Sequence, residues 1–224
     1  VGGKDMKKII IFGGSGGIGK LITKIFQDSN RYEVISLSSK DVDITDRNIV
    51  DSFLSLNSDV SIILNLSSVS HNCFIHKYNK DSENILNKQI DVNIKGTINI
   101  VSSALVHMRK NNYGRIILMS SVLSEMPVVG ASIYSSCKSF IDSFVKSVSL
   151  ENSSKGITCN SIQLGYFDAG LLYTIPEDIR EDIKSSIPLN RWGSIDELYK
   201  LIESLINIEY ITGSNIEING GIRY

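Results

Sequence analysis

Five glycines within seven positions, Gly13, Gly14, Gly16, Gly17 and Gly19, follow directly on the apolar run Lys8–Phe12 (KIIIF). No helix or strand interior tolerates that density, because glycine loses more backbone freedom on ordering than any other residue. Leu21, Ile22, Ile25 and Phe26 then recur at helical spacing. The segment is read as a buried strand, a tight glycine turn and an amphipathic helix. A strand that feeds a helix in this way belongs to a crossover unit, which requires a parallel neighbour.

The rest of the chain repeats that alternation. Val34–Leu37, Ile62–Leu66, Arg115–Met119, Ile157–Leu164 and Ile216–Ile218 read as further strands. Ile49–Leu56, Ile90–Met108, Ser135–Leu150 and Ile195–Ile206 carry helical periodicity, with Gly114 closing the segment after Met108. The expected fold class is α/β: a doubly wound parallel sheet in three layers, α/β/α, with helices on both faces. No linker or repeat divides the chain, so residues 6–224 are expected to form one domain. Residues 1–5 read as an appended leader, with Met6 the natural start.

Composition narrows the partners. A formal net charge of −1 leaves no electrostatic footprint for nucleic acid or an anionic membrane. No apolar run is long enough to span a bilayer. Cys73, Cys137 and Cys159, with His71, His76 and His107, show no metal-ligand spacing. We therefore expect no metal, and reduced thiols in a cytoplasmic protein.

In open parallel sheets, ligands bind beyond the carboxyl ends of the strands. The Gly13-x-x-x-Gly17-x-Gly19 turn lies there. Gly13 permits the tight exit, Gly17 lets backbone approach a pyrophosphate, and Gly19 lets the helix pack close. Ser15, Gly16 and Ile18 complete the loop and the helix start, whose amides suit an anion. Asp43 and Ile44 could meet an adenine, the carboxylate on its amino group and the isoleucine beneath its face; Asp43 could equally be a turn or cap residue. An acidic residue closing the second strand would select the 2′-hydroxyl of NAD(H). Ser38, Ser39 and Lys40 stand there instead. Two hydroxyls and an ammonium suit a 2′-phosphate, so NADP(H) is favoured, with NAD(H) possible.

Tyr134 and Lys138, four apart on a helix, share one face. A free phenol has a pKa of about 10, so acid/base work near neutrality needs a positive field beside it. Ser121 lies thirteen residues upstream of Tyr134. Together with the glycine turn, Asp43-Ile-Thr, Asn65, Asp91-Val-Asn93, Pro188-Leu-Asn-Arg-Trp-Gly193 and Asn219-Gly-Gly221, this order resembles the short-chain dehydrogenase/reductase family. The likeness runs from about Lys7 to Gly221, and is to the single-domain type of the 3-oxoacyl-ACP reductases and sugar or alcohol dehydrogenases.

That resemblance implies a Rossmann-like, NAD(P)-dependent oxidoreductase that interconverts a ketone and a secondary alcohol of a small molecule. It implies that Tyr134 is the proton donor in reduction and the base in oxidation, and that Lys138 holds the nicotinamide ribose. Ser121 would donate to the substrate carbonyl, and Asn93, through a local distortion of its helix, would hold a water in a proton relay. Asn65, Ser67 and Ser68, with Gly165 and Phe167, would line the cofactor. A homotetramer or homodimer is implied, paired through Ile90–Met108 and Ser135–Leu150; Val101, Leu105, Phe144 and Val148 are candidates for its apolar stripe and could equally be core. Tyr166–Leu189 lies where the family carries its substrate lid; Leu171, Leu172, Tyr173 and Ile175 could cover an apolar group or equally be a helix face packed on the core.

Three departures from the family pattern stand out: Asn65-Leu-Ser-Ser68 after the third strand, Leu164-Gly165 followed by Ala169, and the short stretch from Leu37 to Asp43. They keep open an alternative, a non-catalytic nucleotide-binding protein acting as a sensor or assembly partner.

Overall fold

The computed structural model describes residues 6–222. Its strands are β1 Lys7–Phe12, β2 Tyr32–Leu37, β3 Val60–Asn65, β4 Gly114–Ser121, β5 Ile157–Leu164 and β6 Asn215–Ile218. Its α-helices are α1 Gly17–Asp28, α2 Arg47–Leu56, α3 Glu83–Ile90, α4 Thr97–Asn111, α5 Ser132–Asn152, α6 Glu177–Ser186 and α7 Ile195–Asn207. The strands form one sheet in the order β2-β1-β3-β4-β5-β6, every pairing parallel. This is the expected doubly wound α/β fold. The chain reverses direction across the sheet between β1 and β3, which places a crevice above their carboxyl ends.

The pleat explains the two cores. Alternate residues of one strand face opposite sides of the sheet. Ile10, Phe12, Ile63, Ile116, Leu118 and Cys159 pack beneath α2, α4 and α5. Ile9, Ile11, Ile62, Leu64, Ile117 and Ile162 pack beneath α1 and α7. Each fully buried side chain of this size contributes about 1.5–3 kcal/mol. Val101 and Val148 belong to the first core, and Leu105 and Phe144 pack against it. Two of the four candidate stripe residues are thus core, and the other two are partly buried on its margin.

The segment expected as one helix from Ile90 to Met108 is three pieces. α3 ends at Ile90, a π-helical turn runs Asp91–Gly96, and α4 follows. At the change of pitch, Thr97 Oγ1 donates to the Asn93 carbonyl at 2.8 Å. Asn112, in the left-handed region with φ 50°, ends α4. Gly114 instead opens β4, where a Cβ would stand 2.5 Å from Met108 Sδ. α6 has no buried residue; Glu177 and Asp178 in its first turn suit the helix dipole.

Candidate active site

The glycine turn is held by close approach on several sides. Gly13 has φ +78°, and a Cβ there would stand 2.6 Å from Ser67 N. The turn thus presses directly against the chain leaving β3. A Cβ on Gly17 would overlap the Cα of Gly170, and one on Gly19 the carbonyl oxygen of Gly13. Gly16, by contrast, has room, with Gly13 O at 3.4 Å its nearest neighbour. No side chain caps α1 after Gly16. At two other helices a side chain closes the start: Asp46 accepts from Asn48 N and Ile49 N at α2, and Ser194 and Glu197 form a capping box at α7. The first-turn amides of α1 have no intrahelical partner, so they suit an anion. Ser15 is exposed here, and Ile18 packs against the second core.

Beyond β2, Ser38 donates from its amide (2.8 Å) and its hydroxyl (2.6 Å) to Asp41 Oδ2. Those bonds, the hydroxyl first, hold the Asp41 carboxyl below the usual range. Ser39 and Lys40 are exposed. Sequence reasoning missed Asp41, although an acid three residues after a serine is a local turn signal. Asp43 Oδ1 accepts from Thr45 N (2.9 Å) and Oγ1 (2.7 Å), which makes it a turn residue. Ile44 packs against Gly96 and is only 7% exposed. Its side chain lies in the first core.

The segment after β3 is strapped by two amides. Asn93, on the π-turn, accepts from Val69 N at 3.1 Å and donates to Val69 O at 2.7 Å. One turn earlier, buried Gln89 accepts from His71 N at 2.9 Å and donates to His71 O at 3.0 Å. Together they act as a substitute strand beside residues 69–71. Ser68 Oγ donates to Asn93 Oδ1 at 3.1 Å, and Asn65 Oδ1 accepts from Ser67 N at 3.0 Å. Gln89 was not singled out from sequence, because its partner is a backbone segment that only the fold brings near.

Ser121 ends β4 and is nearly buried, its Oγ accepting from Leu123 N at 3.2 Å. Tyr134 lies in the first turn of α5, half-buried. Lys138, 1% exposed, donates from Nζ to Met119 O at 2.8 Å, and its Nζ lies 5.4 Å from the Tyr134 ring centroid. β4 therefore anchors the lysine through one carbonyl and presents the Ser121 hydroxyl two residues later. An ammonium without partners at that depth would be very costly, and the carbonyl bond offsets part of the cost.

After β5, Gly165 donates to Ile218 O at 3.0 Å, and a Cβ on it would stand 2.7 Å from Asn219 Cα. Phe167 is buried in a bridge with Gly193. The lid region comprises a short 3₁₀ turn, Gly170–Thr174, and α6. Leu172 is buried, and Tyr173 is exposed with its hydroxyl donating to Asp168 Oδ1 at 2.6 Å; the Leu171 side chain lies outside the described residues. Glu177, Asp178, Glu181 and Asp182 are exposed. A cavity of about 110 Å³ opens nearby between Tyr166, Leu189, Arg191 and Asn219.

Cys73, Cys137 and Cys159 are unpaired, and burial pushes the thiol of Cys137 up. Among the described residues no group of three or more His, Cys, Asp or Glu could hold a metal ion. None of the described helices is long and apolar enough to cross a membrane.

The chain matches the family model described as enoyl-(acyl carrier protein) reductase over residues 38–223. It is 29% identical over 245 residues to the 3-oxoacyl-[acyl-carrier-protein] reductase FabG of Buchnera aphidicola subsp. Baizongia pistaciae, covering 98% of each chain. It is 32% identical over 165 residues to the acetoacetyl-CoA reductase of Shinella zoogloeoides, covering 72% of this chain and 67% of that one. Among solved structures, ElxO with NADP bound superposes with a TM-score of 0.86 at 23% identity, covering 97% and 98%.

Proposed function

The chain belongs to the short-chain dehydrogenase/reductase family, and from that premise we propose that it reduces the ketone of a 3-oxoacyl-type substrate with Tyr134 as the acid. It is an oxidoreductase of the ketoreductase kind, as its relatives are named. The observation that carries the reading is Lys138: a buried ammonium tied to Met119 O and set beneath the Tyr134 ring. A pure nucleotide binder has no use for that arrangement, so it favours turnover over the sensor reading.

The cofactor we assign is NADP(H), which when bound supplies the hydride. The glycine turn and the first-turn amides of α1 would hold its diphosphate, and Ser67, Ser68 and Lys138 its nicotinamide half. Ser38, Ser39 and Lys40 would take the 2′-phosphate once Asp41 releases the two donors it holds. Asn65, Gly165 and Phe167 shape the walls through their backbone.

Each catalytic side chain then has one task. Leu123 N–H occupies a lone pair of Ser121 Oγ, which leaves the hydroxyl hydrogen free to donate to the substrate oxygen. That bond strengthens as the oxygen gains charge. Tyr134 delivers its phenolic proton to the same oxygen, while the fixed ammonium of Lys138 stabilises the phenolate left behind. Asn93 holds the 68–69 backbone in place beside them.

We further infer a homodimer or homotetramer in the cytoplasm. Exposed Ile98 and Val106 on α4 and Leu150 on α5 support the first, and three unpaired cysteines the second. Light scattering checks the assembly, with a monomer the contrary result.

The functional test is NADPH consumption with acetoacetyl-CoA, run beside NADH. Steady oxidation of NADPH is expected. Saturable NADPH binding without consumption by any 3-oxoacyl thioester contradicts the substrate class. A preference for NADH contradicts the role of Ser38–Lys40 and leaves the reductase standing.

A further inference from the structure

Leu123 N–H occupies a lone pair of Ser121 Oγ, and that bond depends on the short 3₁₀ turn Val122–Ser124. The far end of the turn is pinned twice. Ser139 Oγ, from α5, donates to the Ser124 carbonyl at 2.6 Å. Gln163 Nε2, from β5, donates to Ser124 Oγ at 3.1 Å.

Gln163 is 2% exposed, and the same nitrogen lies 2.8 Å from Asp142 Oδ2 and 3.1 Å from Glu125 Oε1. Asp142 stands one turn beyond Lys138 on α5 and also accepts from Ser161 Oγ at 2.8 Å. A carboxamide nitrogen has two hydrogens for these three acceptors, so both are committed within the cluster and shared among them. The same face of β5 carries Ile157 and Cys159 into the first core. Past them the face turns polar at Ser161 and Gln163, and a buried amide is tolerated there because it is bonded. What its bonds accomplish is to tie the turn after Ser121 to the helix that carries Tyr134 and Lys138.

We propose that Gln163 is a positioning residue for Ser121, fixing the direction of the Ser121 hydroxyl through Ser124 and the 3₁₀ turn. This rests on Ser121 being the donor to the substrate carbonyl. The residue does not touch substrate, so its removal weakens turnover while sparing binding.

The test is a kinetic cycle of Gln163→Met, Ser121→Ala and the double variant, with NADPH titration and thermal melting alongside. Methionine keeps the length and removes the donor. Gln163→Met is expected to lower kcat roughly tenfold, a fraction of the ~10²–10³ lost with a whole oxyanion donor, with KM and cofactor affinity within about twofold. In the Ser121→Ala background it is expected to cost nothing more, because the hydroxyl it positions is gone. An equal loss in both backgrounds, or wild-type kcat in Gln163→Met, overturns the proposal. Full kcat in Ser121→Ala alone overturns the reading of Ser121 instead, and the proposal with it. If Gln163→Met does not fold, Ser124→Ala removes the same link at a half-buried site, and the cycle is read in the same way.

Discussion

The carboxyl edge of the sheet has two halves built from different materials. Above β2, β1 and β3 the site is mostly backbone: the Gly13–Gly19 turn, the uncapped start of α1, and the chain from Asn65 to Val69. Above β4 and β5 it is buried polar side chains, Lys138, Asp142, Ser161 and Gln163, bonded across 19 to 39 positions of sequence. A backbone site fails when an atom is added, and a side-chain site fails when a donor is lost. The two halves should therefore break in opposite ways, the first in binding and the second in rate.

The largest effect is expected at Gly17. In Gly17→Val the new Cβ overlaps Gly170 and crowds the first-turn amides, so NADPH affinity should fall on the order of 100-fold, about 2.7 kcal/mol. Fluorescence titration reads it, and near-normal affinity would mean that the turn does not approach the cofactor.

Next comes Ser121→Ala, with kcat lower by roughly 10²-fold and cofactor affinity unchanged. Steady-state kinetics beside the same titration separate the two quantities. A parallel loss of affinity would erase the distinction between the halves.

Asp41→Asn sharpens the comparison within the nucleotide half. It removes a carboxylate that occupies both Ser38 donors, so NADPH should bind a few-fold tighter while NADH is unaffected, the gain shrinking as salt rises. Equal effects on both cofactors would place the 2′-phosphate elsewhere.

The smallest effect lies outside both halves. Arg191, then the Ser194 amide, hold the Glu197 carboxyl down at about 2. A carboxyl depressed in the folded state stabilises above its unfolded pKa, about 4.3. That contribution is complete above roughly pH 5 and fades as pH falls toward 2. Glu197→Gln should therefore lower Tm slightly at pH 7 and by less at pH 2.5, and a Tm difference independent of pH would sink the assignment.

The comparison also explains what could be read from the chain before its structure was known. Strands buried on both faces announce themselves as apolar runs, and β5 spans Ile157–Leu164 as read. Glycine spacing marks a backbone site, because close approach forbids anything larger. Long helices with an apolar stripe are similarly plain, whereas α3 and α6 are short and bury few residues or none. The π-turn at Asp91–Gly96 adds a residue to one helical turn, which periodicity does not register. Ile44 reads as a platform for a base, and only the fold shows that Gly96 leaves room for it in the core. Gln89, Asp142 and Gln163 were silent for a shared reason. A lone amide or acid declares nothing until the fold chooses which donors and carbonyls pass beside it.

The most direct measurement is Tyr134→Phe, with NADPH affinity and turnover determined on the same preparation. The separation of the halves predicts affinity within about twofold of wild type and kcat lower by roughly 10²–10⁴, the share carried by a positioned acid. Substantial residual turnover would remove Tyr134 as the acid, and a collapse of affinity would show that the two halves are one site.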